Sequence, residues 1–302
     1  MLDDYKVCEA AVCDNLLQVP YFDNISKDVS VIHVNIRSIY KNFDNFLVFL
    51  KSTGKEFDVI VMSETHIVHN IDDFNIQGYL SFYNNSSLTK FDGCMVYVKQ
   101  QLFLSYSTVV VNDLKCAQVS LCKNGVLFDI LGTYRSPSTD VVDFLNNLKT
   151  ILEDNTKDSK KNYVWVGDIN IDLLDTRSEV TGDYITLLHR YGFFSVINKV
   201  TRQQGNSATC IDHYFVKCKN ELFNKINSVV LTRDISDHFP ILLVIELDVA
   251  QVNVKNDQTF HKINHNLLTQ VLSEAQWEDV ASESDADVCT EIFINQTQKC
   301  IK

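Results

Sequence analysis

Residues 164–175 read VWVGDINIDLLD. An apolar stretch runs into Gly167, and Asp168, Asn170 and Asp172 then follow at alternate positions. On an extended chain, residues i and i+2 project to the same side, so Asp168 and Asn170 leave the end of a strand together. A carboxylate beside a neutral amide suits phosphate chemistry. The first orients or deprotonates water, and the second donates to an oxyanion without adding charge. Gly167 lets the backbone turn or approach a ligand closely. Two other readings apply to the same segment. Asp168, Asn170, Asp172 and Glu179 match ligand positions of a calcium loop, but Leu173 stands where that loop needs glycine and the preceding flank is a strand. The other is an Asx-rich turn that simply ends the strand.

Further polar residues punctuate strand ends. VIHVNIRS stops on Asn35, DVIVMSETH on Glu64, and DILGTYRSP on Tyr134 and Arg135. In SDHFPI, Asp237 and His238 precede Pro240, which opens an apolar strand. Asp212 lies inside the strand TCIDHYFV, where a buried carboxylate needs a partner and a histidine is a natural one. Taken singly, each is equally a solvated loop residue or a surface pair. Zinc spacing does not compete. His66-x-x-His69 lacks the intervening glutamate and the helix of a zinc protease, and Cys210-x-x-His213 falls on a strand that sends the two side chains to opposite faces.

The elements that must position these residues alternate from about residue 29 to 247. VSVIHVN (29–35), FDVIVMSET (57–65), VLFDILGTY (126–134), NYVWVGD, TCIDHYFVK (209–217) and PILLVIELDV (240–249) read as strands. GCMVYVK, STVVVND and KCAQVSL read as a meander of short strands. SIYKNFDNFLVFLKS (38–52) places Ile39, Phe43, Phe46, Leu47 and Leu50 on one helical face, and VVDFLNNLKTIL (141–152) does the same with Phe144, Leu145, Leu148, Ile151 and Leu152. DYITLLHRYGF reads as a helix closed by Gly192. Strands in runs with helices between some of them imply an α/β architecture of two mixed sheets packed face to face, with helices on the outer faces. The expected organisation is an N-terminal extension over 1–28, a catalytic domain over 29–248 and a polar connector over 249–302. In the connector, helix-like stretches fall around Leu267–Trp277 and at EIFINQ.

The 302-residue chain has 45% hydrophobic residues, enough for a proper core, and a formal charge of −12. That charge argues against a free-standing nucleic-acid binder, since phosphate contacts need Lys and Arg. It leaves room for a nuclease whose acids gather around a divalent ion. The nine cysteines include no C-x-x-C pair and read as free thiols of a reducing compartment. MLDDYKVCEA has no apolar signal-peptide region, and every apolar run is too short to span a membrane, so an intracellular protein is expected.

The order Asn, Glu, Tyr, GDIN, ID, SDH on strand ends of one α/β chain resembles the endonuclease/exonuclease/phosphatase superfamily over about residues 29–247. FDVIVMSETHI, FDGCMVYVK, GTYRSPST, VWVGDINIDLL, NSATCIDHYFV and ISDHFPILLVI look most like the endonuclease domain of a non-LTR (LINE-type) retrotransposon polyprotein. NLLTQVLSEAQWEDV looks like the connector such elements place ahead of a reverse transcriptase. The resemblance implies a Mg²⁺-dependent DNA endonuclease, with Mn²⁺ as a substitute, nicking nuclear target DNA for target-primed reverse transcription. By the same resemblance Glu64 is the principal metal ligand, helped by Asp237, and Asn35 lies beside it. Asp168 positions or activates the attacking water, Asn170 holds a phosphate oxygen, Tyr134 donates to the phosphate, and His238, paired with Asp212, contacts the scissile phosphate. Arg135 is a candidate phosphate clamp. Lys199, Thr201 and Arg202 in NKVTRQQGNS are candidates for DNA contact, and Arg37 and Lys41 for lining the same groove. The alternatives are a hydrolase of a small phosphoester or phospholipid headgroup, and a catalytically inactive binding relative.

Overall fold

Strands buried on both faces dominate the molecule. The structure, a computed structural model, describes residues 9–16, 19, 22, 25–67, 71–84, 92–233, 235–247, 273, 275, 277–282 and 284–301. Its strands are β1 (Ala11–Cys13), β2 (Val29–Asn35), β3 (Val59–Ser63), β4 (Tyr79–Asn84), β5 (Cys94–Lys99), β6 (Phe103–Val111), β7 (Leu114–Lys123), β8 (Val126–Tyr134), β9 (Lys161–Asp168), β10 (Phe194–Ser195), β11 (Arg202–Gln204), β12 (Ser207–Thr209), β13 (Asp212–Lys217), β14 (Ile226–Leu231) and β15 (Ile241–Ile245). The helices are α1 (Ile39–Thr53), α2 (Val141–Asn155), α3 (Glu179–Arg190), α4 (Asn220–Phe223), α5 (Glu278–Ser282) and α6 (Ala286–Ile301).

A 7-stranded sheet runs β1-β14-β15-β2-β3-β5-β4, and a 6-stranded sheet runs β10-β13-β9-β8-β7-β6. Both are mixed: β2 and β3 are parallel, as are β8 and β9, while β13 pairs antiparallel to β9 and β15 to β2. Val31, Val61 and Val96 of the first sheet meet Val119, Ile130 and Val164 of the second in the central core. On the outer face of the first sheet, Ile39, Phe43 and Phe46 of α1 pack on Ile32, Ile60 and Met62. On the outer face of the second, Phe144 and Leu148 of α2 and Tyr184 and Leu188 of α3 cover Leu131, Trp165 and Phe215. This is the expected four-layer sandwich. It explains why β2 and β3 read as continuous apolar runs instead of alternating ones: both of their faces are covered.

Several details depart from the sequence reading. The first sheet begins at β1, upstream of residue 29, and β4 and β14 join it as strands the pattern did not reveal. NKVTRQQGNS is not a plain loop, because β11 and β12 form a two-stranded ribbon turning at Gly205 and Asn206. α3 starts at Glu179, with the Ser178 side chain accepting from the Thr181 N–H as its N-terminal cap. Asp172 Oδ1 accepts from the backbone N–H of Leu174 and of Cys210, so the segment after Asp168 is an Asx turn tied to the start of β13. The chain divides into two units, Met1–Val249 and Ala250–Lys302. In the second, EIFINQ lies within α6 as expected. Most of the helix expected around Leu267–Trp277 lies outside the described residues.

The site follows from the parallel pairs. β2 and β3 end side by side at Asn35 and Ser63, and β8 and β9 end side by side at Tyr134 and Asp168. β13 starts opposite Asp168 at Asp212. His238 sits just before β15. Residues 203 positions apart thus reach one edge of the sandwich.

Candidate active site

Asn35 joins the two sheets. Its Oδ1 accepts from the Arg37 N–H at 3.1 Å, which fixes the amide so that Nδ2 faces the acids. Nδ2 donates to Glu64 Oε1 at 2.9 Å and to Asp168 Oδ2 at 2.8 Å, and lies 3.5 Å from His238 Nε2. Glu64 is held by backbone: the Ser38 N–H donates to the Glu64 carbonyl at 2.8 Å and the Ile39 N–H to the Thr65 carbonyl at 3.0 Å, so the start of α1 is fastened to the end of β3. Glu64 itself has φ 49°, a left-handed conformation sparsely populated by residues other than glycine and characteristic of sites the fold over-determines.

Asp168 is fully buried. Its Oδ1 accepts from the Asn170 N–H at 3.1 Å, with Asn170 also left-handed at φ 54°. Burial, followed by the charges of Asp212 and Glu64, raises its proton affinity well above the ordinary carboxylate range. Gly167 has a reason to be glycine, since a Cβ there would lie 1.8 Å from the Thr133 carbonyl oxygen of β8. Tyr134 pairs with Asp168 across β8 and β9. Burial and then the Glu64 and Asp168 charges push its phenol upward, so it stays a donor.

Asp212 and His238 form the expected pair, with His238 Nδ1 2.9 Å from Asp212 Oδ2. Burial alone would depress the His238 imidazole, but Asp212 outweighs it and lifts the group to about 9. Asp212 is correspondingly lowered by His238, again against burial. Two residues that the sequence reading did not find lie behind the pair. His33 and Ser63 are fully buried, with His33 Nε2 2.6 Å from Ser63 Oγ and His33 Nδ1 3.7 Å from Asp212 Oδ1. A histidine within the apolar run VSVIHVN was the only available signal.

The structure turns two of the substrate-contact candidates inward. Thr201 is fully buried, and its Oγ1 accepts from the Ile211 and Asp212 N–H groups at 3.0 Å each, so it braces Asp212. Arg135 is 4% exposed. Its guanidinium donates through NH1 and NH2 to the carbonyls of Ile169, Asn170 and Thr139, so it locks the loop after Asp168, and its Nε is buried with no partner among the described residues. Asn170 spends one amide proton on the Arg135 carbonyl at 2.8 Å. Lys199 pairs with Glu9 on the surface at 2.6 Å. Of the zinc-like spacings, His213 Nε2 lies 3.0 Å from the Cys210 carbonyl in the core, and His69 lies outside the described residues.

The mouth of the site carries cations. Arg37 NH1 forms an ion pair with Asp237 Oδ1 at 2.8 Å, Arg202 Nε donates to Asp237 Oδ2 at 3.0 Å, and Arg37 Nε approaches Glu64 Oε2 to 3.8 Å. Asp237 is therefore held between two arginines. Glu64, Asp168 and His238 each present an atom within 4.8 Å of the others; with His238 cationic, the two carboxylates are the members able to hold a metal ion. Carboxylate oxygens at this spacing suit a hard divalent cation. A neighbouring cavity of about 290 Å³ is lined by Tyr134, Arg135, Lys115, Asp92, Asp140 and Asp143 among others.

The sandwich and its ordered strand-end residues define the endonuclease/exonuclease/phosphatase fold. Among solved structures, an AP endonuclease from Leishmania major superposes with a TM-score of 0.59 at 14% identity, covering 74% of this chain and 89% of that one. An endonuclease/exonuclease/phosphatase family protein from Leptotrichia buccalis gives 0.54 at 17%, covering 72% and 100%. The endonuclease domain of TRAS1, a telomere-specific non-LTR retrotransposon, gives 0.53 at 13%, covering 73% and 99%. No protein-family model and no curated protein matches the chain. Among the described residues, no helix is long and apolar enough to cross a membrane.

Proposed function

We propose that the chain is a metal-dependent phosphodiester hydrolase, and specifically a DNA endonuclease of the kind that nicks target DNA for a non-LTR retrotransposon. The observation that carries the reading is the Asn35 amide, which draws Glu64 and Asp168 together beside the Asp212–His238 pair. Each residue then has a task. Asp168, with its raised proton affinity, takes the proton of an attacking water. His238, cationic through Asp212, offers Nε2 to a phosphoryl oxygen, and Tyr134 offers its hydroxyl as charge builds. Asn170 has one amide proton left for a second oxygen. Glu64 would anchor Mg²⁺ or Mn²⁺ with Asp168 and Asp237 at hand. When bound, the cation neutralises charge on the reacting phosphate.

Arg37 and Arg202 at the mouth supply the phosphate-binding charge that the acidic chain lacks elsewhere. A nuclear setting and a downstream reverse transcriptase complete the reading. Two structural neighbours, an AP endonuclease and a retrotransposon endonuclease domain, support a nucleic-acid substrate over a lipid headgroup. The test is nicking of supercoiled plasmid. Activity with Mg²⁺, none in EDTA, and losses of about 10²-fold or more in Asp168→Ala and His238→Ala are expected. Turnover of a phosphoinositide with no nicking at any Mg²⁺ or Mn²⁺ concentration would overturn the endonuclease reading.

A further inference from the structure

Asp212 has two carboxylate oxygens, and the pairing with His238 accounts for only one of them. Oδ2 receives His238 Nδ1 at 2.9 Å. Oδ1 is buried, accepts no hydrogen bond of ordinary geometry among the described residues, and lies 3.7 Å from His33 Nδ1, which likewise makes none among them; the Thr201 hydroxyl is the other group that favours this carboxylate. The far side of the His33 ring is fixed. Its Nε2 lies 2.6 Å from Ser63 Oγ, and that oxygen already accepts from the Asp168 N–H at 3.3 Å. A serine hydroxyl has one proton to give. The Asp168 N–H takes one of the two lone pairs of Ser63 Oγ, and among the described residues His33 Nε2 is the one acceptor within reach of the Ser63 proton, so the arrangement that uses that proton sends it to His33 Nε2. The ring proton of a neutral His33 therefore sits on Nδ1, facing Asp212. Burial keeps His33 neutral, depressing it to about 4.

We propose that His33 is a positioning residue: its Nδ1–H props Oδ1 of Asp212, and through Ser63 it ties the Asp212–His238 pair to the backbone that carries Asp168 and Glu64. The arrangement is a line of four side chains, Ser63, His33, Asp212 and His238, crossing from one sheet to the other. Its function is to hold the carboxylate so that His238 keeps its Nδ1 proton toward Asp212 and Nε2 toward the substrate. Outer partners of this kind change the reacting groups without touching them. The activity arm of the test rests on the endonuclease reading above, and the spectroscopic arm does not.

The experiment compares His33→Asn, His33→Gln and His33→Leu in the full chain. Asparagine places its Nδ2 close to the position of His33 Nδ1, whereas glutamine reaches toward Ser63. The expected result is a fall in kcat of roughly 10- to 100-fold for Leu and Gln with KM little changed, and recovery to within about threefold in Asn. In an Asp212→Ala background the Leu substitution should add almost nothing, because the two act through one contact. Melting curves identify any variant that has not folded. Independently of turnover, ¹⁵N imidazole spectra of the wild-type chain should show His33 protonated on Nδ1 and bare on Nε2. A His33 protonated on Nε2 overturns the proposal, as does an Asn variant no better than Leu, or a Leu effect undiminished without Asp212. If the wild-type chain nicks nothing, the endonuclease reading fails while the tautomer still decides the role of His33.

Discussion

Gly167→Ala should damage this protein far more than a methyl group ordinarily does. The added Cβ would lie 1.8 Å from the Thr133 carbonyl oxygen and 2.8 Å from its carbon, both backbone atoms of the adjacent parallel strand β8. A carbon–oxygen contact needs about 3.3 Å, so β8 and β9 must part by roughly 1.5 Å where they are ordinarily spaced by about 4.8 Å. That shift stretches the Arg135 N–H to Asp168 carbonyl bond, 3.0 Å in the native fold. Overpacking of this sort costs about 1–3 kcal/mol, and an alanine at φ +154° adds about 1–3 kcal/mol of backbone strain. A total near 4 kcal/mol lowers Tm by about 8–16 °C in a unit of this size. Thermal denaturation followed by circular dichroism reads it directly. Gly182, inside α3 with nothing near its missing Cβ, is the internal control, and Gly182→Ala should raise stability by about 1 kcal/mol. A Gly167→Ala protein melting within about 2 °C of wild type would refute the close approach on which the placement of Asp168 depends.

Other consequences can be checked as readily. His238 is raised above its unfolded value, so the stability it contributes is complete below about pH 6.5 and is lost as pH rises through about 9. In EDTA, the Tm gap between wild type and His238→Gln should therefore be level from pH 5.5 to 6.5 and close by about pH 10. Arg37→Ala removes a half-exposed cation from beside Asp237 and Glu64. It should raise KM for plasmid and flatten the slope of log affinity against log salt by at most about 0.9, since Asp237 and Glu64 already offset part of its charge, whereas Lys199→Ala, paired with Glu9, should leave KM nearer to wild type. Lys123→Met removes the nearer of two lysines paired with the buried Asp58, at 2.6 Å, and leaves Lys99 at 3.7 Å and the Ser30 N–H; at the end of the sandwich away from the site, it should cost about 1–3 kcal/mol in urea denaturation without changing the Mg²⁺ dependence of nicking.

The site residues were legible in the sequence because carboxylates, amides and a histidine stand where apolar strands stop, and residue type at a strand end survives translation into three dimensions. What the sequence hid has physical causes. His33 and Ser63 carry polar atoms inside β2 and β3, whose two covered faces make every position look like core. Thr201 and Arg135 were given to the substrate because loop polarity suggests solvent, yet the Thr201 hydroxyl and the two terminal nitrogens of Arg135 serve backbone groups left over by the loops around Asp168 and Asp212. The ribbon β11–β12 escaped because Arg, Gln, Ser and Thr offer no apolar face for periodicity to detect, although Gly205–Asn206 is a hairpin turn signal. β1 was missed because it pairs with β14 across most of the chain, a contact no local pattern reports.

The central claim is that Glu64 and Asp168, brought together by Asn35, form one cation site beside His238. Anomalous diffraction from crystals soaked in Mn²⁺ tests it most directly. A single peak is predicted at about 2.2 Å from a Glu64 carboxylate oxygen, on the side facing Asp168, and absent from Glu64→Gln crystals. Full Mn²⁺ occupancy elsewhere, with Glu64 and Asp168 bare, would contradict the account.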